Sequence, residues 1–159
     1  MTLAVSGVSR AHRPFPVVTL SALLLVLGIG AVAGGGALLF GYGGEFMLPD
    51  EYLDMLPLVD SWVVPGLLLG VGFGLGSLVV LYGVLRRPDW PWLHWLERLT
   101  RHHWSWVGTI ALGVGHVAWI TIELVSIPFS YLMPTFGLVA LALALLPWLP
   151  EVRDHLRVD

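Results

Sequence analysis

Polar positions in this chain come in clusters, and between them the apolar positions run on without relief. Four apolar stretches stand out, at about residues 16–42, 62–85, 104–127 and 132–148, and none contains a Lys or Arg. A helix rises about 1.5 Å per residue, so about 20 residues cross a hydrocarbon core of about 30 Å. The pattern predicts four membrane-spanning helices. Pro65 falls in the first turn of the second, where a missing N–H costs little. Arg86-Arg87-Pro88 ends that helix, and Pro147 and Pro150 break the fourth. Pro128-Phe129-Ser130-Tyr131 is a short turn, so the third and fourth helices are antiparallel neighbours. The expected fold class is all-α: a four-transmembrane-helix antiparallel bundle forming a single integral membrane domain over 1–159.

Between the second and third runs the period changes. In DWPWLHWLERLTRHHW, Asp89 to Trp104, a helix started by Pro91 places Trp92, Trp95, Leu96 and Leu99 on one side. Glu97, Arg98 and Arg101 then point the other way. Such a segment suits a short cytoplasmic interfacial helix, with its rings at headgroup depth. His102-His103 reads as interfacial polarity, and Glu151–Asp159 as a charged tail.

Charge gives the runs a direction. All eight cationic side chains are Arg, confined to 10–13, 86–101 and 153–157. The segment from Gly43 to about Asp60 carries Glu45, Asp50, Glu51, Asp54 and Asp60 instead. Cationic loops stay on the cytoplasmic side, so both termini are expected there, in a multi-pass protein of the plasma (inner) membrane. Asp50 and Asp54 lie one helical turn apart, but no calcium-loop pattern surrounds them. A competing reading takes Arg10 and Arg13, Leu20–Gly30 and Ala31-Val32-Ala33 as a cleavable signal peptide. Apolar residues continue through Gly34–Phe40, which favours a retained helix.

Composition narrows the function classes. A hydrophobic content of 57% with 12% charged residues and a mean hydropathy of +0.82 excludes a water-soluble domain. The arginines are too few and dispersed for nucleic-acid binding. With no cysteine, disulfides, thiolate metal sites and thiol redox chemistry are excluded. The expected surroundings are the lipid bilayer, with self-association or a larger membrane partner beside it.

Two patterns remain as candidate sites. Gly66, Gly70 and Gly74 recur every four residues in the second run, as do Gly30 and Gly34, and then Ala31 and Gly35, in the first. Small residues at that spacing let helix backbones approach in lipid, so these are helix-packing positions. In the third run Ser105, Thr109, His116 and Glu123 share one face with Gly113. His116 lies about 18 Å of helix rise beyond Trp104, near the midplane, and Glu123 about 10 Å further out. Ionisable groups at that depth are functional candidates, for proton relay, cation binding or ligand contact, or else polar ties between helices. His116 and Glu123 are too far apart to share one metal, and no second intramembrane carboxylate or paired His supports an enzyme site. No metal and no cofactor are expected.

Two likenesses complete the reading. Ser61-Trp62-Val63-Val64-Pro65 and Ser130-Tyr131-Leu132-Met133-Pro134 share Ser-aromatic-x-x-Pro, each where the chain re-enters the membrane, as in a duplicated pair of two-helix repeats. The re-entry segment LPLVDSWVVPGLLL, Leu56 to Leu69, and the polar third helix resemble those of small four-span membrane proteins of prokaryotes whose activity is uncharacterised. That resemblance implies the fold and no residue roles. The functional expectation is a structural or accessory subunit packing through its Gly faces, rather than an enzyme. The alternative is a small oligomeric transporter or proton-coupled permease using Thr109, His116 and Glu123. An enzyme acting on lipid or quinone ranks third, for want of polar groups from a second helix.

Overall fold

The computed structural model describes residues 13–40, 55, 60–126 and 128–158. Arg10 of the signal-peptide reading and the acidic residues Glu45, Asp50, Glu51 and Asp54 lie outside that range. The described chain is helical throughout, with one isolated bridge between His102 and Arg157 in place of any sheet.

Helix α1 spans Phe15–Leu39 and α2 spans Val63–Arg86. A one-turn 3-10 segment, Pro91–Leu93, leads into α3, His94–Thr100. Helix α4 spans Trp104–Ser126, and α5 spans Leu132–Leu145 with a 3-10 turn to Trp148. Helix α6 spans Pro150–His155. Three of these, α1, α2 and α4, are long and apolar enough to cross a membrane. Leu132–Trp148 is apolar but shorter. Five hydroxyls inside the apolar runs are absorbed locally: Thr19, Ser21, Thr109, Thr121 and Thr135 each donate to the carbonyl four residues back, whereas the buried Ser77 hydroxyl has no partner among the described residues.

The packing order follows from the small residues. A Cβ on Gly35 would stand 2.5 Å from Gly70 Cα and 2.6 Å from Gly66 O, so α1 and α2 touch backbone to backbone. A Cβ on Gly74 would meet Val32 N at 2.8 Å. At the other pair, a Cβ on Gly113 would meet Ala144 Cα at 2.8 Å, which brings α4 onto α5. Helix α4 also packs on α2 and α1 on α5. Opposite these seams, Val26 and Ile29 of α1, Val71 and Val79 of α2, and Leu138 and Leu141 of α5 are exposed. Such an apolar exterior fits lipid contact.

The middle of α2 departs from the α ladder. Leu68–Leu75 is π-helical over eight residues. Bonds from residue i to i+5 are rare, and such stretches are frequent at functional sites. This stretch contains Gly70 and Gly74, which lie on α1, and Phe73, which reaches α4.

Every described Arg falls at one end of the molecule. The Arg13 guanidinium donates to Leu85 O at 3.0 Å, tying the start of α1 to the last turn of α2. Arg87 and Arg101 adopt left-handed φ of 49° and 56° and close α2 and α3. The residues after α5 are a docked element rather than a free charged tail. Val152 and Leu156, four apart on α6, are 0% exposed within the main core. His103 N–H donates to Leu156 O at 2.7 Å, and Val158 N–H to Arg101 O at 3.2 Å.

Helix α3 and the 3-10 turn before it keep Trp92, Trp95 and Leu99 outward, as an interfacial helix requires, while Leu96 is partly buried against the core. Its carboxylate departs from the expected polar face. Glu97 turns inward, where Oε1 accepts the Trp104 backbone N–H at 3.3 Å. The start of α4 lacks an intrahelical partner for that N–H, and Glu97 supplies one.

Candidate functional site

A cavity of about 160 Å³ lies at the end of the helices away from the arginines. Its wall draws on α1 through Leu27, Gly30 and Gly34, on α2 through Pro65 and Leu69, on α4 through His116 and Glu123, and on α5 through Met133 and Phe136. The glycines make room. A Cβ on Gly30 would already stand 3.2 Å from Phe136 Cζ, and one on Gly34 would stand 3.2 Å from Leu69 Cδ2. The two Ser-aromatic-x-x-Pro segments also meet here, since Trp62, Pro65, Ser130 and Met133 all contribute to the wall.

His116 is the outlying group. It is 2% exposed, and neither Nδ1 nor Nε2 has a hydrogen-bond partner. Its ring is held by edge contacts alone: Phe73 from α2 with centroids 4.7 Å apart, and Phe136 from α5 at 6.2 Å, both at 74°. Leaving a buried donor or acceptor unpaired costs about 1–3 kcal/mol. Glu123, two turns along the same face of α4, shares the cavity wall. One neutral imidazole offers a donor and an acceptor, and the rest of the lining is almost wholly apolar. The cavity has room for a ring-sized apolar molecule beside the His116 ring. An apolar cavity of about 150 Å³ in a protein core is large enough for benzene.

The polar stripe of the third helix is thereby divided. His116 and Glu123 come together at the cavity. Thr109 does not join them: it is fully buried, its hydroxyl donates to Ser105 O at 2.8 Å, and it is not part of the cavity wall. The Gly positions divide too. Gly66, Gly70 and Gly74 lie against α1, but the residues that oppose them there are Gly35 and Ala31. Gly30 faces Phe136 of α5, and Gly34 faces the Leu69 side chain. Spacing alone identifies which residues share a row, and the partner of each row comes from the tertiary packing.

At the Arg end the buried polar groups find partners. His103 is buried and fits the neutral ring protonated at Nε2, which donates to Pro88 O at 3.2 Å. Its Nδ1 accepts from the Ser105 hydroxyl at 2.8 Å and from Ser105 N–H at 3.3 Å. Burial pushes the imidazole below its ordinary value, against a smaller opposing pull from the Pro88 carbonyl. Burial lowers His155 likewise. Indole rings close the layer: Trp90 stacks on Trp104 at 4.5 Å, and the Trp106 N–H donates to Pro147 O at 2.8 Å. His102 stacks on Trp106 at 4.6 Å, and its Nδ1 lies 2.6 Å from Thr100 O. In sequence, His102-His103 reads only as interfacial polarity, without this layer. A signal for it was present in the density of Trp and His between Trp90 and Trp106, which leaves few ways to bury so many polar edges.

Among the described residues no group of three or more His, Asp or Glu side chains could hold a metal ion. Fold and site together fit a helical membrane protein with an internal cavity. No family model, curated protein or solved structure matches the chain.

Proposed function

We propose that this chain is a four-span protein of the plasma (inner) membrane that works by binding within the bilayer. In this reading Leu132–Trp148 spans beside the three longer helices, with Pro147 and Trp148 at the interface. The Arg-bearing end and both termini face the cytoplasm, as cationic segments do in multi-pass proteins. The protein is an accessory subunit and not an enzyme. Its ligand is a ring-sized lipophilic molecule, or the ring-sized head of a longer one, carrying a hydroxyl or carbonyl. The observation that carries the reading is His116: buried, unpaired at both nitrogens, and in the wall of a cavity. A purely structural histidine would be expected to find a partner in a neighbouring helix.

The Gly rows support binding over assembly through glycine. Gly66, Gly70 and Gly74 are used within the chain and are not available to a second one. The permease reading loses support from the division of the stripe, because Thr109 belongs to the packed layer.

The test uses ¹⁵N-histidine-labelled protein in lipid nanodiscs with 4-ethylphenol as the probe. The expected outcome is a saturable shift of the His116 ring nitrogens that is absent in His116→Phe, while that variant keeps its helical content. No shift at saturating probe, in a folded wild type, would refute the binding reading. A transport role has its own readout: proton flux in liposomes is expected to be equal for wild type and Glu123→Gln, and loss in the variant would restore the permease.

A further inference from the structure

Outside the cavity, the most unbalanced charge lies on the face beside α3. Arg98, Arg101 and Arg157 border one open bowl of about 740 Å³, with His94, Glu97 and Val158 completing its rim. Three guanidinium groups gather there, and the acids nearby are already engaged. Glu97 accepts the Trp104 N–H and lies 3.8 Å from His103 Nε2, leaving its side chain 12% exposed. Asp89 pairs with His94. Among the described residues, the only side-chain bond made by the three arginines is the long one from Arg98 Nε to His94 O, at 3.4 Å. No Arg–carboxylate bridge forms among the described residues.

The gathering is built by the backbone. Arg101 sits in the left-handed conformation that ends α3, and the chain then pairs with the segment after α6. Val158 N–H donates to Arg101 O, and the Arg87 guanidinium donates to Arg157 O at 2.8 Å. Residues 56 positions apart in sequence are thus fixed side by side by main-chain contacts that leave both guanidinium groups free. Among the described residues Glu97 is the one carboxylate in the bowl's wall against three guanidinium groups, and that excess of like charge is unfavourable unless an anion joins it. Arg is the residue suited to phosphate, through its planar fork.

The depth of the bowl identifies the anion. On the same short helix Trp92, Trp95 and Leu99 are 68%, 59% and 75% exposed. Indole and Leu side chains left outward at a helical-bundle end belong at the lipid interface. We propose that the bowl of Arg98, Arg101 and Arg157 binds the phosphate of an anionic phospholipid headgroup, with Trp92, Trp95 and Leu99 seated among the acyl chains beside it. The inference rests on membrane insertion but not on the cavity, which lies at the opposite end of the helices.

The experiment is native mass spectrometry of the full chain from mixed micelles of equal phosphatidylglycerol and phosphatidylcholine, with thermal unfolding alongside. Wild type is expected to retain phosphatidylglycerol selectively and to melt higher with it. Arg101→Gln/Arg157→Gln is expected to weaken that retention by on the order of 30-fold. Arg153→Gln, outside the bowl, is expected to match wild type. Should the double variant fail to fold, Arg98→Gln, whose side chain makes one long bond only, gives the decisive reading, with a smaller loss in the same direction. Selectivity unchanged in the bowl variants would overturn the proposal. So would inorganic phosphate raising the melting temperature as far as the lipid does, which would make the bowl a site for a free anion.

Discussion

The two ends of this molecule treat histidine in opposite ways. His103 and His116 are both buried on or beside α4, thirteen residues apart in sequence. At the Arg end, His103 has a partner for each ring nitrogen, a neighbouring carboxylate and the Trp104 indole tilted against it. At the cavity end, His116 has two phenylalanine edges and no hydrogen-bond partner among the described residues. A satisfied polar layer locks one arrangement of helices. An unsatisfied group beside a space is a cost carried by the fold, and such costs gather at sites that act. The first end explains how the helices are held, and the second is where a ligand gains most from arriving.

That contrast can be broken in several places. The largest effect is expected at the seam both ends depend on. Gly35→Leu drives a side chain into the Gly70 and Gly66 backbone and should cost about 3 kcal/mol or more. Gly36→Leu, with nothing within 4 Å of its added carbon, should leave the melting temperature in detergent near that of wild type. Next comes His103→Ala, which strands the Ser105 and Pro88 groups and should destabilise by about 2–3 kcal/mol in the same assay. His116→Phe should do the reverse. It keeps an aromatic ring between Phe73 and Phe136, removes two unpaired nitrogens, and should raise stability by about 1 kcal/mol while abolishing probe binding. A destabilised His116→Phe would place the two histidines in the same structural class.

The smallest effect is in pH. His103 is held below its ordinary value of 6.5, so the unfolded chain binds the proton more readily. Its contribution is therefore fully present above about pH 6.5 and is lost as the pH falls from there toward its folded value. His155 acts with the same sign. Melting temperature should fall on acidification from pH 7.5 to 5.5, and His103→Asn should flatten that slope. A slope that steepens in the variant would contradict the neutral-ring assignment.

Much of this was legible in the sequence because lipid enforces simple rules. The apolar runs mark α1, α2 and α4 within a few residues, since a spanning helix must satisfy its own backbone. The four-residue spacing marks Gly66, Gly70 and Gly74 as one row, and the seven-residue spacing puts His116 and Glu123 on one face. What stays hidden is which surfaces meet. Nothing local distinguishes Gly30, which faces Phe136, from Gly35, which faces Gly70. The inward turn of Glu97 answers an unpaired N–H on the next helix, so it depends on a contact seven residues away. The docking of α6 had a faint trace in Val152 and Leu156, one turn apart, which their charged neighbours obscured.

The π-helical stretch of α2 gives the chain a property of its own. Each residue of an α-helix turns the chain by about 100°. Deleting a single residue such as Gly72 would let Leu68–Leu75 relax toward an ordinary ladder. The half of the helix below it would keep its angle to the half above, because the wide turn already absorbs one residue. With that residue kept and the ladder forced to α, the lower half would swivel by about 100°, and Gly66 and Gly70 could keep their place on α1, or Phe73 its place on His116, but not both. The surplus residue works as a phase shifter, and it lets one continuous rod serve two neighbours whose demands are out of step.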